Sequence, residues 1–76
     1  MGYASSKWSA ALGRNLYSLR MERHLTQKET ARLLHIARRT LQKLERGEIG
    51  KRTRTSLLFD ASRLFGVEVA SLFDGE

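Results

Sequence analysis

Seven basic residues fall between Arg38 and Arg54 (Arg38, Arg39, Lys43, Arg46, Lys51, Arg52 and Arg54), against two acidic ones, Glu45 and Glu48. From Thr55 onward there is one basic residue, Arg63, and four acidic ones. Cations at this density suit a polyanionic partner. On composition alone, the cluster reads equally as a solvated face. Its internal spacing says more. Taken as a helix with Leu41 pointing inward, the segment puts Leu44 and Glu45 within about 60° of Leu41 and places Arg39, Lys43 and Arg46 on the opposite side. Thr40 and Gln42 flank the basic side. The major groove of DNA admits a helix, and Arg, Lys and Gln match guanine and adenine edges there. An ordinary exposed basic helix shows the same pattern, so the neighbouring segments must decide.

The whole chain is consistent with such a helix. It has 76 residues, a net charge of +6 and a pI near 10.5. That length implies one small domain, expected over 9–76 with 1–8 as an N-terminal arm or extra helical turn. There is no Cys and no Pro. Disulfides and thiolate zinc sites are therefore excluded, and the composition fits a reducing compartment and favours helices. No run of apolar residues exceeds three, which excludes a membrane span or a signal-peptide core. An enzyme is not expected, since a chain this short leaves little room for a pocket of roughly 300 Å³ or more. A membrane-surface role is not expected either, because the cations do not line one long amphipathic face.

Apolar periodicity predicts five helices and no strand. Leu12, Leu16 and Leu19 mark helix 1, about Lys7 to Arg23, capped by Ser6 or Ser9. Thr26 and Glu29 form a T-x-x-E capping box that starts helix 2, which runs to Leu34 with Ala31 and Leu34 inward. His35 and Ile36 make a tight break. Helix 3 covers Arg38 to Arg46, with Gly47 as its terminating glycine. Helix 4 covers Thr55 to Phe65, burying Leu58, Phe59, Ala61 or Ser62, and Phe65, and Gly66 ends it. Helix 5 covers Val69 to Phe73. A short helix, a break of about three residues and a second short amphipathic helix have helix-turn-helix spacing.

The stretch Thr26-Gln27-Lys28-Glu29-Thr30-Ala31 through Thr40-Leu41-Gln42-Lys43-Leu44-Glu45-Arg46-Gly47 resembles the lambdoid phage repressor and Cro family of helix-turn-helix regulators. Leu12-Gly13-Arg14-Asn15-Leu16 and Leu19-Arg20 are similar to that family's first helix. Leu64-Phe65-Gly66-Val67 and Leu72-Phe73 are similar to its last two. The resemblance spans about residues 12–73. It implies an all-α, compact five-helix domain with the helix-turn-helix at about 26–46. It also implies a sequence-specific transcription regulator that binds a palindromic operator in double-stranded DNA as a homodimer; repression is favoured over activation because helix 2 carries only Glu29 against Lys28 and Arg32, with no evident acidic patch to face a polymerase. No cofactor and no metal are expected, and the expected setting is the bacterial or phage-infected cytoplasm, at the nucleoid.

Residue by residue, the resemblance places Arg38, Arg39 and Lys43 at base-reading positions, with Thr40 and Gln42 as secondary contacts. Gln27 would donate to a phosphate and Arg46 would approach one. Lys51, Arg52 and Arg54 would lie along the backbone, Arg54 near the minor groove. Arg20 and Glu45 would pair beneath helix 3 as a structural salt bridge. Leu72 and Phe73 are dimer-interface candidates, with core packing the alternative for at least one of them. Trp8 and Tyr3 either dock on the body or extend that interface.

The chain departs from the pattern at several positions. His24 and His35 stand where the family has Gly, at positions favouring a left-handed backbone. A metal site is the sharp alternative for this pair, but no third ligand has suitable spacing. Ala37 caps helix 3 less well than Ser or Thr, by about 1 kcal/mol, or else meets a thymine methyl. Thr30 replaces a usual Leu, and Leu33 falls on a normally polar face. The competing function is that of an antitoxin or another protein-interaction module of the same fold.

Overall fold

The structure, a computed structural model, describes residues 7–48 and 55–74. It is built from four α-helices, α1 (Lys7–Glu22), α2 (Gln27–Leu33), α3 (Arg38–Glu45) and α4 (Thr55–Phe65), followed by a 3-10 turn at Val69–Phe73. Among the described residues there is no strand. Leu12 and Leu16 of α1, Leu34, Leu44, Leu57, Ala61, Phe65 and Leu72 form one core. Leu41 is also fully buried.

Each helix stops in the same way. The residues just past the ends of α1, α2, α3 and α4 are His24, His35, Gly47 and Gly66, with φ of 57°, 61°, 86° and 67°. In every case the next residue returns its N–H to a carbonyl five positions back: Leu25 to Arg20 at 3.1 Å, Ile36 to Ala31 at 2.9 Å, Glu48 to Lys43 at 2.9 Å and Val67 to Ser62 at 3.1 Å. This is the Schellman arrangement, in which a left-handed residue reverses the chain and satisfies the last carbonyls. Leu25, Ile36 and Val67 then fold back onto the core. The stop signals thus set the angles between helices, and two of them are made by histidine at a conformational cost.

The start of α2 is equally determined. Thr26 Oγ1 accepts from Glu29 N at 3.0 Å, and Glu29 Oε1 accepts from Thr26 N at 2.9 Å. Both halves of the expected capping box are present. Ser9 lies inside α1 and is buried, so it packs and does not cap. Ser6 lies outside the described residues.

Two expectations need correction. The fifth helix is a 3-10 turn of five residues. Its Ser71 N bonds Glu68 O, and the carbonyls of Ser71, Leu72 and Asp74 accept from Asn15 Nδ2 of α1. One side chain therefore gathers the carbonyls of the turn and pins it to α1. In α4, the inward row is Leu57, Ala61 and Phe65, at i, i+4 and i+8. Leu58 is half-buried, and Phe59 is 52% exposed. Counting from Leu57, Phe59 is turned about 200° away from the core row.

α1 and α3 touch through backbone. A Cβ added at Gly13 would lie 2.4 Å from Leu44 O and 3.0 Å from Gly47 N. No larger residue fits there without parting the two helices. Thr30 is 1% exposed, and its hydroxyl has no hydrogen-bond partner. A leucine there would fill the same core without a polar atom to desolvate.

The terminal geometry predicts that His35→Gly stabilises the fold by roughly 0.5–1 kcal/mol, because glycine occupies the left-handed region without strain. Thermal unfolding should rise by a few degrees, whereas His35→Val should lower it. Equal midpoints for the glycine and valine variants would show that the αL position is not under strain.

Candidate nucleic-acid interface

α2 and α3 pack against each other across the tight turn made by His35 and Ile36. α3 turns Leu41 and Leu44 fully inward. Arg38, Arg39, Lys43 and Arg46 are exposed on it, and Thr40 and Gln42 are half-buried on its flanks. Lys28 and Arg32 of α2 are also exposed. Among the described residues near this surface, the acidic groups are already engaged. Glu29 closes the α2 cap, Glu48 meets Arg46 at 3.3 Å in an exposed pair, and Glu45 lies beneath α3. The outward face of α3 is therefore cationic and planar-donor-rich, and its N-terminal turn has no side-chain cap at Ala37.

The seat of α3 is the Arg20–Glu45 pair. Arg20 Nε donates to Glu45 Oε2 at 2.7 Å and Nη2 donates to Oε1 at 3.1 Å, a bidentate fork. The side chains are only 9% and 6% exposed. The remaining arm, Nη1, donates to Leu25 O at 2.9 Å, and the Tyr17 ring lies 5.3 Å from the guanidinium carbon. One cation thus joins α1, the turn after it and α3. It needs every one of these partners, since a buried charge left unpaired is costly.

The network extends beyond the pair that the sequence pointed to. Gln27 Nε2 donates to Glu45 Oε1 at 3.1 Å, and Gln42 Nε2 donates to Gln27 Oε1 at 3.4 Å. Gln27 thus stands at the start of α2 with its amide drawn toward α3. A signal for this is present in the sequence: on a helix, Gln42 falls about 60° from Glu45, on the side facing α2. A second clamp with no local sequence signal is Arg23, whose Nη2 donates to Phe65 O at 2.6 Å while its guanidinium lies 5.4 Å from the Phe65 ring centre. It ties the end of α1 to the end of α4.

Other expected residues fall elsewhere. Lys51, Arg52 and Arg54 lie outside the described residues, as do Tyr3 and the Trp8 side chain. Leu72, an interface candidate by sequence, is 0% exposed and belongs to the core, because the 3-10 geometry turns it inward. Phe73 is half-buried against that core. Leu33 is half-exposed at the end of α2. Among the described residues, no group of three or more His, Cys, Asp or Glu side chains could hold a metal ion. His24 and His35 serve instead as helix terminators. No described helix is long and apolar enough to cross a membrane.

A short buried-seat helix carrying Arg and Lys outward, set behind a capped helix and a tight turn, defines a helix-turn-helix DNA-binding domain. The helix-turn-helix family model matches residues 16–72, and the chain belongs to that family, the XRE or Cro/C1 type of DNA-binding regulators. Among solved structures, the clp gene regulator ClgR from Corynebacterium glutamicum is 31% identical with a TM-score of 0.73, over 86% of this chain and 67% of that one. The restriction-modification controller protein C.AhdI from Aeromonas hydrophila is 23% identical with a TM-score of 0.74, over 86% of this chain and 96% of that one. The hypothetical transcription factor NHTF from Neisseria is 20% identical with a TM-score of 0.77, over 97% of this chain and 85% of that one. The last two likenesses are of fold. No curated protein matches the sequence significantly.

The geometry of the seat predicts a strong, non-additive response. Arg20→Met should destabilise the domain by about 3–5 kcal/mol, because Glu45 is left buried without its cation. Adding Glu45→Leu should recover much of that loss. Chemical denaturation of the two single variants and the double variant measures the coupling, and additive losses would contradict it.

Proposed function

We propose that this domain reads a specific double-stranded DNA sequence with α3 in the major groove and represses transcription from a palindromic operator as a homodimer. The observation that carries this reading is the outward face of α3. Arg38, Arg39 and Lys43 are exposed on a helix whose inward face is locked by Leu41, Leu44 and the Arg20–Glu45 fork. A helix seated in this way presents its side chains from fixed backbone positions, which favours specific contact over loose electrostatic attraction.

Arg39 is the principal reader. It sits near the N-terminal end of α3, opposite the buried Leu41–Leu44 seam, and its planar fork bridges O6 and N7 of one guanine. Arg38 and Lys43 read adjacent positions, with Thr40 and Gln42 at the flanks. Arg46, Lys51, Arg52 and Arg54 hold phosphates, Arg54 at the minor-groove edge. Gln27 offers a phosphate the N–H that it does not give to Glu45. A single module covers few base pairs, so two copies are needed, with half-site centres about 34–36 Å apart. Phe73, at the edge of the 3-10 turn, and the exposed Phe59 of α4 supply apolar surface for the dimer. The setting is the cytoplasm, at the nucleoid, and no cofactor takes part.

Readers and holders respond differently to truncation. Arg39→Ala should cost about 1–3 kcal/mol on the selected operator and relax preference at one base pair, with a smaller effect on random DNA. Lys51→Ala or Arg52→Ala should weaken binding to all sequences and reduce the slope of log K against log salt by about 0.9. Fluorescence-anisotropy titrations at several salt concentrations separate the two behaviours. If Arg39→Ala weakened operator and random duplex equally, α3 would not be the reading element.

A further inference from the structure

The hydrogen bonds behind α3 run in one direction, and that direction ends at the outward flank of the helix. An ionised carboxylate accepts hydrogen bonds and donates none. The side chain that faces Glu45 Oε1 must therefore present an N–H, and Gln27 does so with Nε2 at 3.1 Å. The opposite sense would set the Gln27 carbonyl oxygen against the carboxylate, two acceptors with no proton between them. With one N–H so directed, Gln27 turns Oε1 to the other side. Gln42 meets that oxygen and must donate, which it does through Nε2 at 3.4 Å. Arg20 holds the start of the series in place by its two bonds to the same carboxylate. The amide of Gln42 is thereby oriented from Arg20 inward, through two intermediates that are themselves half-buried or buried.

An unconstrained glutamine is ambidextrous. A turn of its last torsion exchanges donor and acceptor, so it can meet a base edge in either sense. Here one N–H of Gln42 is drawn back toward Gln27, which fixes the sense of the amide and turns its carbonyl oxygen to the opposite side. We propose that Glu45, acting through Gln27, sets Gln42 as a hydrogen-bond acceptor on α3, so that the base opposite it is selected for an exocyclic amine: adenine N6 or cytosine N4 over guanine O6 or thymine O4. Gln42 is then a specificity-determining residue, and Gln27 and Glu45 are positioning residues for it. The inference rests on the reading of α3 as the base-contacting helix.

The test uses the full chain and an operator selected from random duplex DNA. Gln42→Ala identifies the base pair that Gln42 reads, and affinities are then measured for the four substitutions at that pair. The wild-type protein should prefer adenine or cytosine over guanine and thymine by at least about fivefold. Gln27→Met removes the link, and the preference at that one pair should fall to within about twofold while preferences at other pairs persist. Gln27→Glu keeps an acceptor toward Gln42 and should retain the base preference, even though its repulsion from Glu45 lowers overall affinity or stability. If Gln27→Met lowers affinity equally on all four operators, Gln27 is a phosphate contact only and the proposal is overturned, with the DNA-reading function intact. The proposal is likewise overturned if Gln42→Ala changes no base preference while Arg39→Ala does. If the wild-type protein shows no preference at any base pair, the function and this proposal fail together.

Discussion

The position of α3 depends on a guanidinium buried between two helices. Arg20 reaches from α1 to Glu45 and to the carbonyl of Leu25. It therefore fixes α3 relative to both the body and the turn that leads into α2. A pair of this kind adds little net stability over a well-packed apolar substitute, but it tolerates few alternative geometries. If the outward side chains of α3 meet base edges, as proposed, that intolerance is the useful property. Small angular errors at the seat become ångström errors at the guanidinium tips of Arg38 and Arg39. The Gly13 contact acts in the same sense, since backbone meeting backbone at this distance leaves α1 and α3 one spacing.

The same economy governs the rest of the domain. A chain of 76 residues has a thin core, and neither disulfide nor proline restrains it. Its helices are defined at their ends instead. Four left-handed terminators reverse the chain, and three of them are followed by an apolar residue that returns to the core. Asn15 collects the carbonyls of the 3-10 turn, and Arg23 caps the end of α4. Specific polar contacts thus supply order that a larger domain would draw from packing.

What can be read from the sequence is governed by local signals. The capping box at Thr26 and Glu29, the glycine after α3 and the Leu41–Leu44 seam are contacts within a few residues, and the helix boundaries follow from them. The left-handed backbone at His24 and His35 is legible only through resemblance, because histidine itself carries no such signal. The inward register of α4 is ambiguous at Phe59: Leu57, Leu58 and Phe59 are consecutive apolar residues, and periodicity within the run does not say which faces the core. The 3-10 form of the last turn depends on Asn15, more than fifty residues away. The Glu45–Gln27–Gln42 series is only half legible, since helical spacing sets Gln42 beside Glu45 but says nothing of Gln27. It joins two helices, and its direction follows from the chemistry of a carboxylate that only the assembled fold brings beside an amide.

A rigidly seated α3 that reads base sequence will leave its mark on the DNA that the domain retains. Selection of bound duplexes from a random pool, carried out at two salt concentrations, tests this reading most directly. A reading helix should enrich one motif with two-fold symmetry at both concentrations, with the higher salt lowering yield and sharpening the motif as phosphate-only binding is lost. Enrichment without a common motif, disappearing altogether at the higher salt, would contradict it.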